Sequence, residues 1–306
     1  MPYLDIALPK GHLWEEVNAT FMLAGYQPRL LGQRSYTMET VDPELRFSIY
    51  RAQNVGPLVE EGKYDLGITG LDWVKETRIS IQDLLDLEFG NVDVVVAIPQ
   101  RYCEHLEKKK FSAAIDQLWQ KREKEGKKKI IVASEYENIA TDFCRKEIKA
   151  IPFRFIRSYG ATETFIKVAD LIVDCSETGA TLRENGWEII RTLFSSTARL
   201  IANKEALKDP WKRSKIEDLV SLLKGAIDAK DMKLLKMNVP EEAMEKVMKI
   251  LPSMKSPTIS KLYGKDASGY AVEVAISSAQ VIQLIPLLKK NGASDILELD
   301  IKKVVK

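Results

Sequence analysis

The run Ala169-Asp170-Leu171-Ile172-Val173-Asp174-Cys175-Ser176-Glu177-Thr178-Gly179-Ala180-Thr181-Leu182 puts two aspartates, a tight turn and several hydroxyls into one short stretch. Leu171, Ile172 and Val173 read as a buried strand, and Gly179 lets the backbone turn sharply. The polar segment Leu182-Arg183-Glu184-Asn185 reads as the start of a helix whose free N–H groups point back into the turn. Ser176 to Thr181 then form a cradle for a phosphate, with Thr178 and Thr181 adding side-chain donors. Asp170 and Asp174 add acceptors. A phosphate needs donors, whereas a polyol or Mg²⁺ needs acceptors, so the combination suits a phosphorylated sugar better than a bare anion. The same residues also read as a plain loop with helix-capping side chains.

Two cations complete the picture. Lys10 and Arg51 fall just past apolar segments, Tyr3–Leu8 and Leu45–Tyr50, that read as strands, and the carboxyl ends of strands are where open α/β sheets bind ligands. Their alternative reading is a surface lysine and an ion-paired arginine. His12 and His105 are the only histidines, and no Ser-His-Asp or Cys-His set is visible.

These residues need a scaffold, and the pattern of apolar runs supplies one. Leu13–Ala24 reads as an amphipathic helix, Val55–Gly62 as a helix, Tyr64–Thr69 as a short buried strand and Leu71–Thr77 as another helix. Val92–Ile98 is an apolar run broken only by Asp93 and closed by Pro99, as expected for a strand buried on both faces. Lys129–Ala133, Phe153–Ile156 and Ala169–Asp174 predict three strands, with a helix over Tyr136–Ile148 between the first two, and Ala198–Ala202 predicts one more. Phe111, Ala114, Ile115, Leu118 and Trp119 share one helical face. Lysines crowd around that helix, Lys108-Lys109-Lys110 among them, but acidic residues are interleaved, which favours a solvated helix over a nucleic-acid arm. After a polar helix at Ile216–Ala229 comes strand Met232–Met237, helix Glu241–Ile250, strands Thr258–Tyr263 and Tyr270–Ile276, helix Ala279–Asn291 and strand Ile296–Ile301. That βαββαβ order is ferredoxin-like.

Composition sets the bounds. At 306 residues with 45% hydrophobic content the chain predicts two domains and an ample core. A formal charge of +2, from 46 basic and 44 acidic residues, gives no drive toward nucleic acid. Cys103, Cys144 and Cys175 are odd in number and widely spaced, so they predict neither a disulfide framework nor a zinc site. No signal peptide fits before Tyr3, and no apolar run approaches the ~20 residues of a membrane helix, which together predict a cytoplasmic location.

The order of motifs is itself informative. Ala7-Leu8-Pro9-Lys10-Gly11-His12-Leu13, Arg51-Ala52-Gln53-Asn54-Val55, Asp65-Leu66-Gly67-Ile68-Thr69-Gly70-Leu71-Asp72, Asp86-Leu87-Glu88-Phe89-Gly90, Gly160-Ala161-Thr162-Glu163 and the opening run resemble the ATP phosphoribosyltransferases, the first enzymes of histidine biosynthesis. Lys236-Met237-Asn238-Val239-Pro240, Leu251-Pro252, Ser256-Pro257-Thr258 and Asn291-Gly292-Ala293-Ser294 resemble the regulatory domain of the long form of that family. The resemblance implies an α/β, bilobal, periplasmic-binding-protein-like (type II) catalytic unit followed by a ferredoxin-like regulatory domain. Lobe I is expected at 1–97 and 183–209, lobe II at 98–182 and the regulatory domain at 210–306.

It also implies a chemistry, in which N1 of ATP displaces pyrophosphate from C1 of phosphoribosyl pyrophosphate. A ring nitrogen is the nucleophile, so orientation and charge neutralisation do the catalytic work. On this resemblance Ser176, Glu177, Thr178, Gly179, Ala180 and Thr181 hold the 5-phosphate. Asp174 accepts from the ribose hydroxyls with Asp170 behind it, and Glu163 approaches the sugar or metal. Lys10 and Arg51 neutralise phosphates, and Gly11, Gly70, Leu71 and Asp72 line the nucleotide side. Asp72 and Glu163 also read as helix-capping carboxylates. Mg²⁺ is expected on the pyrophosphate, with Glu163 and Asp170 as candidate ligands. Asn238, Ser256, Thr258, Ala293 and Ser294 match a pocket for histidine as allosteric inhibitor, and a homo-oligomer, dimer or hexamer, is implied, with neither nucleic acid nor membrane as partner.

His12 stands where the family's arginine is usual, Asn54-Val55-Gly56 replaces Asp-Ile-Pro, and Asn91-Val92-Asp93 replaces a Cys-Arg pair. A neutral imidazole cannot give arginine's bidentate contact, which puts the details of ATP phosphate binding in question. Two other classes compete, a small-ligand binding protein on the same fold and a phosphoribosyltransferase acting on a free base such as orotate or a purine.

Overall fold

The computed structural model describes residues 2–32, 36–103, 111–251, 256–263 and 268–305. His105, Lys108-Lys109-Lys110 and Pro252 lie outside the described residues. By its internal contacts the chain divides into two units, one of residues 1–18 and 28–214, the other of residues 19–27 and 215–306.

In the first unit the chain runs β1 (Leu4–Lys10), α1 (Leu13–Ala24, whose last residues group with the second unit), β2 (Arg29–Leu30), β3 (Thr37–Glu39), β4 (Leu45–Arg51), α2 (Ala52–Glu60), β5 (Leu66–Gly70), α3 (Leu71–Thr77) and β6 (Gln82–Asp86). It continues through β7 (Val92–Pro99), α4 (Phe111–Lys124), β8 (Ile130–Ser134), α5 (Glu137–Glu147), β9 (Phe153–Arg157), β10 (Leu171–Ser176), α6 (Ala180–Glu184), β11 (Trp187–Ser196) and β12 (Ala198–Ala202). Two sheets result. One has the order β2-β3-β4-β1-β5-β12-β6 and the other β11-β7-β10-β8-β9. β1 runs parallel to both β4 and β5, while β12, returning from the second sheet, runs antiparallel between β5 and β6. This is the two-lobed arrangement of the type II periplasmic-binding-protein fold.

The lobe boundaries differ from expectation. β7 is paired on both sides, with β10 and β11, so it belongs to the middle of the second sheet rather than to lobe I. β11 joins it there. The backbone therefore passes between lobes at 87–91 and again at Thr197, and the expected breaks at 97/98 and 182/183 both fall within the second lobe. Its core is built as the helical pattern of α4 requires: Ala114, Ile115 and Leu118 bury against Val94, Val96 and Ile98 of β7 and Leu171 and Val173 of β10.

In the second unit α7 (Pro210–Ala229) precedes β13 (Met232–Val239), α8 (Met244–Ile250), β14 (Thr258–Lys261), β15 (Tyr270–Ser277), α9 (Ser278–Lys290) and β16 (Ser294–Asp300). The sheet order β14-β15-β13-β16, antiparallel throughout, is that of a ferredoxin-like fold. Leu235, Met237 and Val239 alternate onto the face covered by Val247 of α8 and Leu284 and Leu288 of α9. The expected start at residue 210 moves to 215, inside α7, and residues 19–27 join this unit, where the Ala24 carbonyl accepts a hydrogen bond from Lys303 Nζ at 2.9 Å.

Candidate active site

Both lobes of the first unit turn strand carboxyl ends toward one cleft. On the first sheet Lys10 and Arg51 are the last residues of β1 and β4, and because these parallel strands run in register the two are direct partners. Adjacent strands are about 4.8 Å apart, so two exposed cations stand side by side. Gly70 ends the next strand, β5, and Asp72 lies in the first turn of α3. On the second sheet β8 ends in Ser134, followed by Glu135 and Tyr136, and β10 ends in Asp174-Cys175-Ser176. A cavity of about 210 Å³ between them is lined by Lys10, Arg51, Asp72, Glu135, Tyr136 and Cys175, with His12 at its side. A second, of about 510 Å³, shares Lys10 and Arg51 and extends to Tyr36, Thr37, Ser48 and Tyr50.

The turn after β10 is held by its own side chains. Ser176 Oγ accepts the Gly179 N–H at 2.8 Å, Thr178 Oγ1 accepts the Ala180 N–H at 3.3 Å, and Arg183 donates to the Thr178 carbonyl at 2.8 Å. Gly179 has φ +73°, and a Cβ there would meet Arg183 and Ile189 at 2.8 Å, so both conformation and space select glycine. Glu177, Thr178, Ala180 and Thr181 remain exposed. The helix that follows begins at Ala180 rather than Leu182 and is only five residues long, which leaves the hydroxyls and loop amides as the main donors. Arg183 adds a cation at this loop.

Asp174 has an unusual environment. Burial, then repulsion from the Glu163 and Glu135 carboxylates, push its carboxyl from 3.8 up to about 7, against the Cys175 N–H and the Thr162 hydroxyl, which stabilise the charged form. Thr162 is itself pinned by Ser158, at 2.8 Å between hydroxyls, and Glu163 is placed by the Trp187 indole N–H, which donates to its carbonyl at 2.7 Å. Ala161, just before them, sits in the left-handed region at φ +48°.

Asp170 is not part of this site. It lies at the far end of β10, about 13 Å along an extended strand from Asp174. Its carboxylate is 2% exposed, pairs with the buried Arg122 at 3.1 Å and accepts the Ile131 N–H at 2.8 Å. The expectation that it supports the sugar or binds metal is therefore corrected: it is an internal ion pair. Asp72 lines the cavity, but both carboxylate oxygens are engaged, one by Ser196 Oγ and the other by Tyr136 OH, each at 2.7 Å. Glu135 and Tyr136 were missed from sequence because they follow a strand whose only visible feature was its apolar run.

In the second unit the five residues matched to a histidine pocket separate. Asn238 on β13 and Ser294 on β16 are neighbours, and both donate to the Asp295 carboxylate, at 2.9 and 3.2 Å, with Ala293 buried beside them. Thr258 is on β14, the opposite edge of the sheet, and Ser256 precedes it. Three strand spacings, about 14 Å, separate Ser294 from Thr258, and two, about 10 Å, separate Asn238 from Thr258.

Comparison with known proteins places the chain in a family. The family described as ATP phosphoribosyltransferase matches residues 51–225, and the one described as HisG, C-terminal domain, matches residues 229–303. An ATP phosphoribosyltransferase of Desulforudis audaxviator is 36% identical over 99% of both chains, and one of Solidesulfovibrio magneticus is 37% identical over 99% of this chain and 98% of its own. Among solved structures, a chain of the ATP phosphoribosyl transferase (HisG:HisZ) complex from Thermotoga maritima superposes with a TM-score of 0.59 at 23% identity, covering 74% of this chain and 98% of that one. This chain belongs to the ATP phosphoribosyltransferase family.

Proposed function

We propose that this chain transfers the 5-phosphoribosyl group of phosphoribosyl pyrophosphate to N1 of ATP, releasing pyrophosphate, as the first step of histidine biosynthesis in the cytoplasm. The observation that carries the reading is one cavity lined by Lys10 and Arg51, ending two strands of one lobe, and by Glu135 and Cys175 of the other, where Asp174 and its hydroxyl-rich turn flank Cys175 on the same strand end. In this reading Ser176 to Thr181 hold the 5-phosphate, and Asp174 accepts from the ribose hydroxyls with Glu163 beside it. Lys10 and Arg51 neutralise phosphates, while Gly11, Gly70 and Leu71 line the nucleotide side. The N1 lone pair forms the new bond to C1 as the C1–O bond to pyrophosphate breaks and its electrons leave with the pyrophosphate. A carboxylate near C1 stabilises the positive charge that develops there.

A divalent cation fits the donors present. Glu163 and Glu135 already repel Asp174, and a cation brought in on the pyrophosphate would relieve that repulsion, with Glu163 and Asp174 as its protein contacts. Mg²⁺ supplies charge neutralisation on the leaving pyrophosphate. Among the described residues no group of three or more His, Cys, Asp or Glu could hold a metal ion.

Histidine is the proposed allosteric inhibitor. Ser294 and Thr258 lie on the two edge strands of the sheet, about 14 Å apart and farther than one histidine spans, so a pocket using all five residues takes its two halves from two copies of the chain. A homo-oligomer follows. Histidine should inhibit without competing with phosphoribosyl pyrophosphate, by a factor within the several-fold to hundredfold range of ordinary coupling, and dilution that dissociates the assembly should abolish the effect. Inhibition that persists in the monomer would reject the shared pocket.

The reaction is tested by mixing the protein with ATP, phosphoribosyl pyrophosphate and Mg²⁺. A new ultraviolet-absorbing adduct should appear in step with pyrophosphate. Pyrophosphate release driven by a free base in place of ATP, or binding of either substrate with no product, would replace this reading with one of its two competitors.

A further inference from the structure

Asp72, Ser196 and Tyr136 come from α3, the end of β11 and the residue preceding α5, and are 5%, 2% and 2% exposed. Ser196 Oγ donates to Asp72 Oδ1 and also accepts the Asp72 backbone N–H at 3.0 Å, while Tyr136 OH donates to Oδ2. Buried polar groups in such a chain must all be satisfied at once, so moving one forces the others to move. The site is also built for this carboxylate. Gly70 has an ordinary φ of −72°, yet a Cβ there would lie 2.1 Å from Asp72 Oδ1, so space, not backbone freedom, requires glycine.

We propose that Tyr136 is a positioning residue that, through Asp72 and Ser196, latches the second lobe onto the first and sets how the two substrate-binding edges face each other. This rests on the reading of the cleft as the transfer site. Burial and the neighbouring Asp72 carboxylate hold the Tyr136 phenol protonated, so it is a permanent donor. Its ring packs on Trp73 with centroids 4.7 Å apart, which fixes the hydroxyl's direction. One turn further along α3, the buried Glu76 carboxylate accepts the Asn138 and Ile139 N–H groups at the start of α5, both at 3.0 Å. The helices are thus joined twice, once away from the cavity by Glu76 and once on its wall by Tyr136. Asp72 then acts through its two partners rather than as a ligand of the nucleotide, since neither oxygen is open. An in-line displacement between groups on different lobes is sensitive to ångström-scale misplacement, so the latch should govern turnover more than binding.

Tyr136→Phe keeps the ring and removes only the hydroxyl. A lost hydrogen bond to a charged oxygen corresponds to roughly a ten- to hundredfold fall in kcat, with the dissociation constant of phosphoribosyl pyrophosphate alone changed by less than about twofold. Asp72→Asn should behave alike, and adding Tyr136→Phe to it should cost little more, because the two act as one unit. Unchanged kcat in Tyr136→Phe, additive losses in the double variant, or a matching loss of substrate binding would each overturn the proposal. Hydrogen exchange on the substrate-free protein tests the link without activity: Tyr136→Phe should raise deuterium uptake at 71–74 and 194–197 as well as around 136. If uptake rises around 136 alone, the latch is wrong even where the transfer reaction is right; if uptake rises in all three segments and no adduct forms, the latch stands and the transfer reading fails. Ser196→Ala, a smaller perturbation, should give the same pattern if Tyr136→Phe folds poorly.

Discussion

The two ends of β10 each carry an aspartate, and their fates differ. At the entering end Asp170 is sealed from solvent, with Arg122 and the Ile131 N–H in hydrogen-bonding range and the Tyr102 hydroxyl at 3.4 Å. At the leaving end Asp174 stands near two other carboxylates of its own lobe, Glu163 and Glu135, and its carboxyl is pushed up to about 7. Burial raises both carboxyls, but only Asp170 has its guanidinium partner beside it. A buried charge that already holds its partner belongs to the fold, whereas one kept short of a partner is set to receive a ligand that brings one.

The largest effect should follow from breaking the satisfied end. Asp170→Asn leaves the Arg122 guanidinium, 6% exposed, without its counter-charge, and removing one member of a buried pair costs about 3–5 kcal/mol. Urea unfolding should show that loss, while kcat per folded molecule stays within about twofold of the parent. A large fall in kcat with unchanged stability would return Asp170 to the site and erase the contrast.

Asp174→Asn should do the reverse. Loss of the charge facing the sugar should lower kcat by about a hundredfold or more. Stability moves with a definite sign. The native pKa, about 7, lies above the ordinary 3.8, so between those values the folded state binds a proton that the unfolded state does not, and stability falls as pH rises through the window. The asparagine variant escapes that loss, so its Tm should exceed the parent's at pH 8 and the gain should fade toward pH 4. A lower Tm at pH 8 would mean that Asp174 is a structural group after all.

Why the two aspartates looked alike beforehand is a physical matter. Four residues apart on a strand, they share one face, and sequence spacing alone cannot show that one meets Arg122 from a distant helix. Elements marked by closely spaced apolar residues were legible: α3 spans Leu71–Thr77 and β12 spans Ala198–Ala202, as expected. β11 was not, because its exposed residues and two register shifts, at Ile189/Arg191 and Thr192/Phe194, break the period-two pattern, and that omission misplaced the lobe boundary. The phosphate turn was legible because local chemistry, Gly179 with its flanking hydroxyls, defines it. Tyr136 was not, since its partner Asp72 becomes a neighbour only when the lobes are assembled.

The same turn sharpens the comparison from the donor side. Thr178 and Thr181 are exposed hydroxyls beside Asp174, and replacing either with valine removes a donor to a charged oxygen, a loss on the order of 1.5–3 kcal/mol. The KM for phosphoribosyl pyrophosphate should rise roughly ten- to a hundredfold, with kcat and the KM for ATP little changed. Wild-type kinetics in both variants would remove the phosphate from this loop.

The smallest effect is the most diagnostic of the cleft-facing end of β10. With its carboxyl at about 7, Asp174 in the free protein is mostly protonated at pH 6 and mostly ionised at pH 8. If ribose hydroxyls and a substrate-borne cation require the carboxylate, only about one molecule in ten is competent at pH 6, and the KM for phosphoribosyl pyrophosphate should be about tenfold higher there than at pH 8. At saturation kcat should hardly change, because bound substrate supplies the missing positive charge and draws the pKa down. Binding near pH 7 should therefore release a proton, visible as a dependence of the calorimetric heat on the buffer's ionisation enthalpy. The substrate's own phosphate titrates near pH 6 and contributes to both signals. Asp174→Asn retains the substrate's contribution and loses the protein's, so the difference between parent and variant isolates the carboxyl. If parent and variant show the same KM profile and the same proton release, Asp174 does not titrate against the sugar, and the contrast between the two ends of β10 reduces to one of burial.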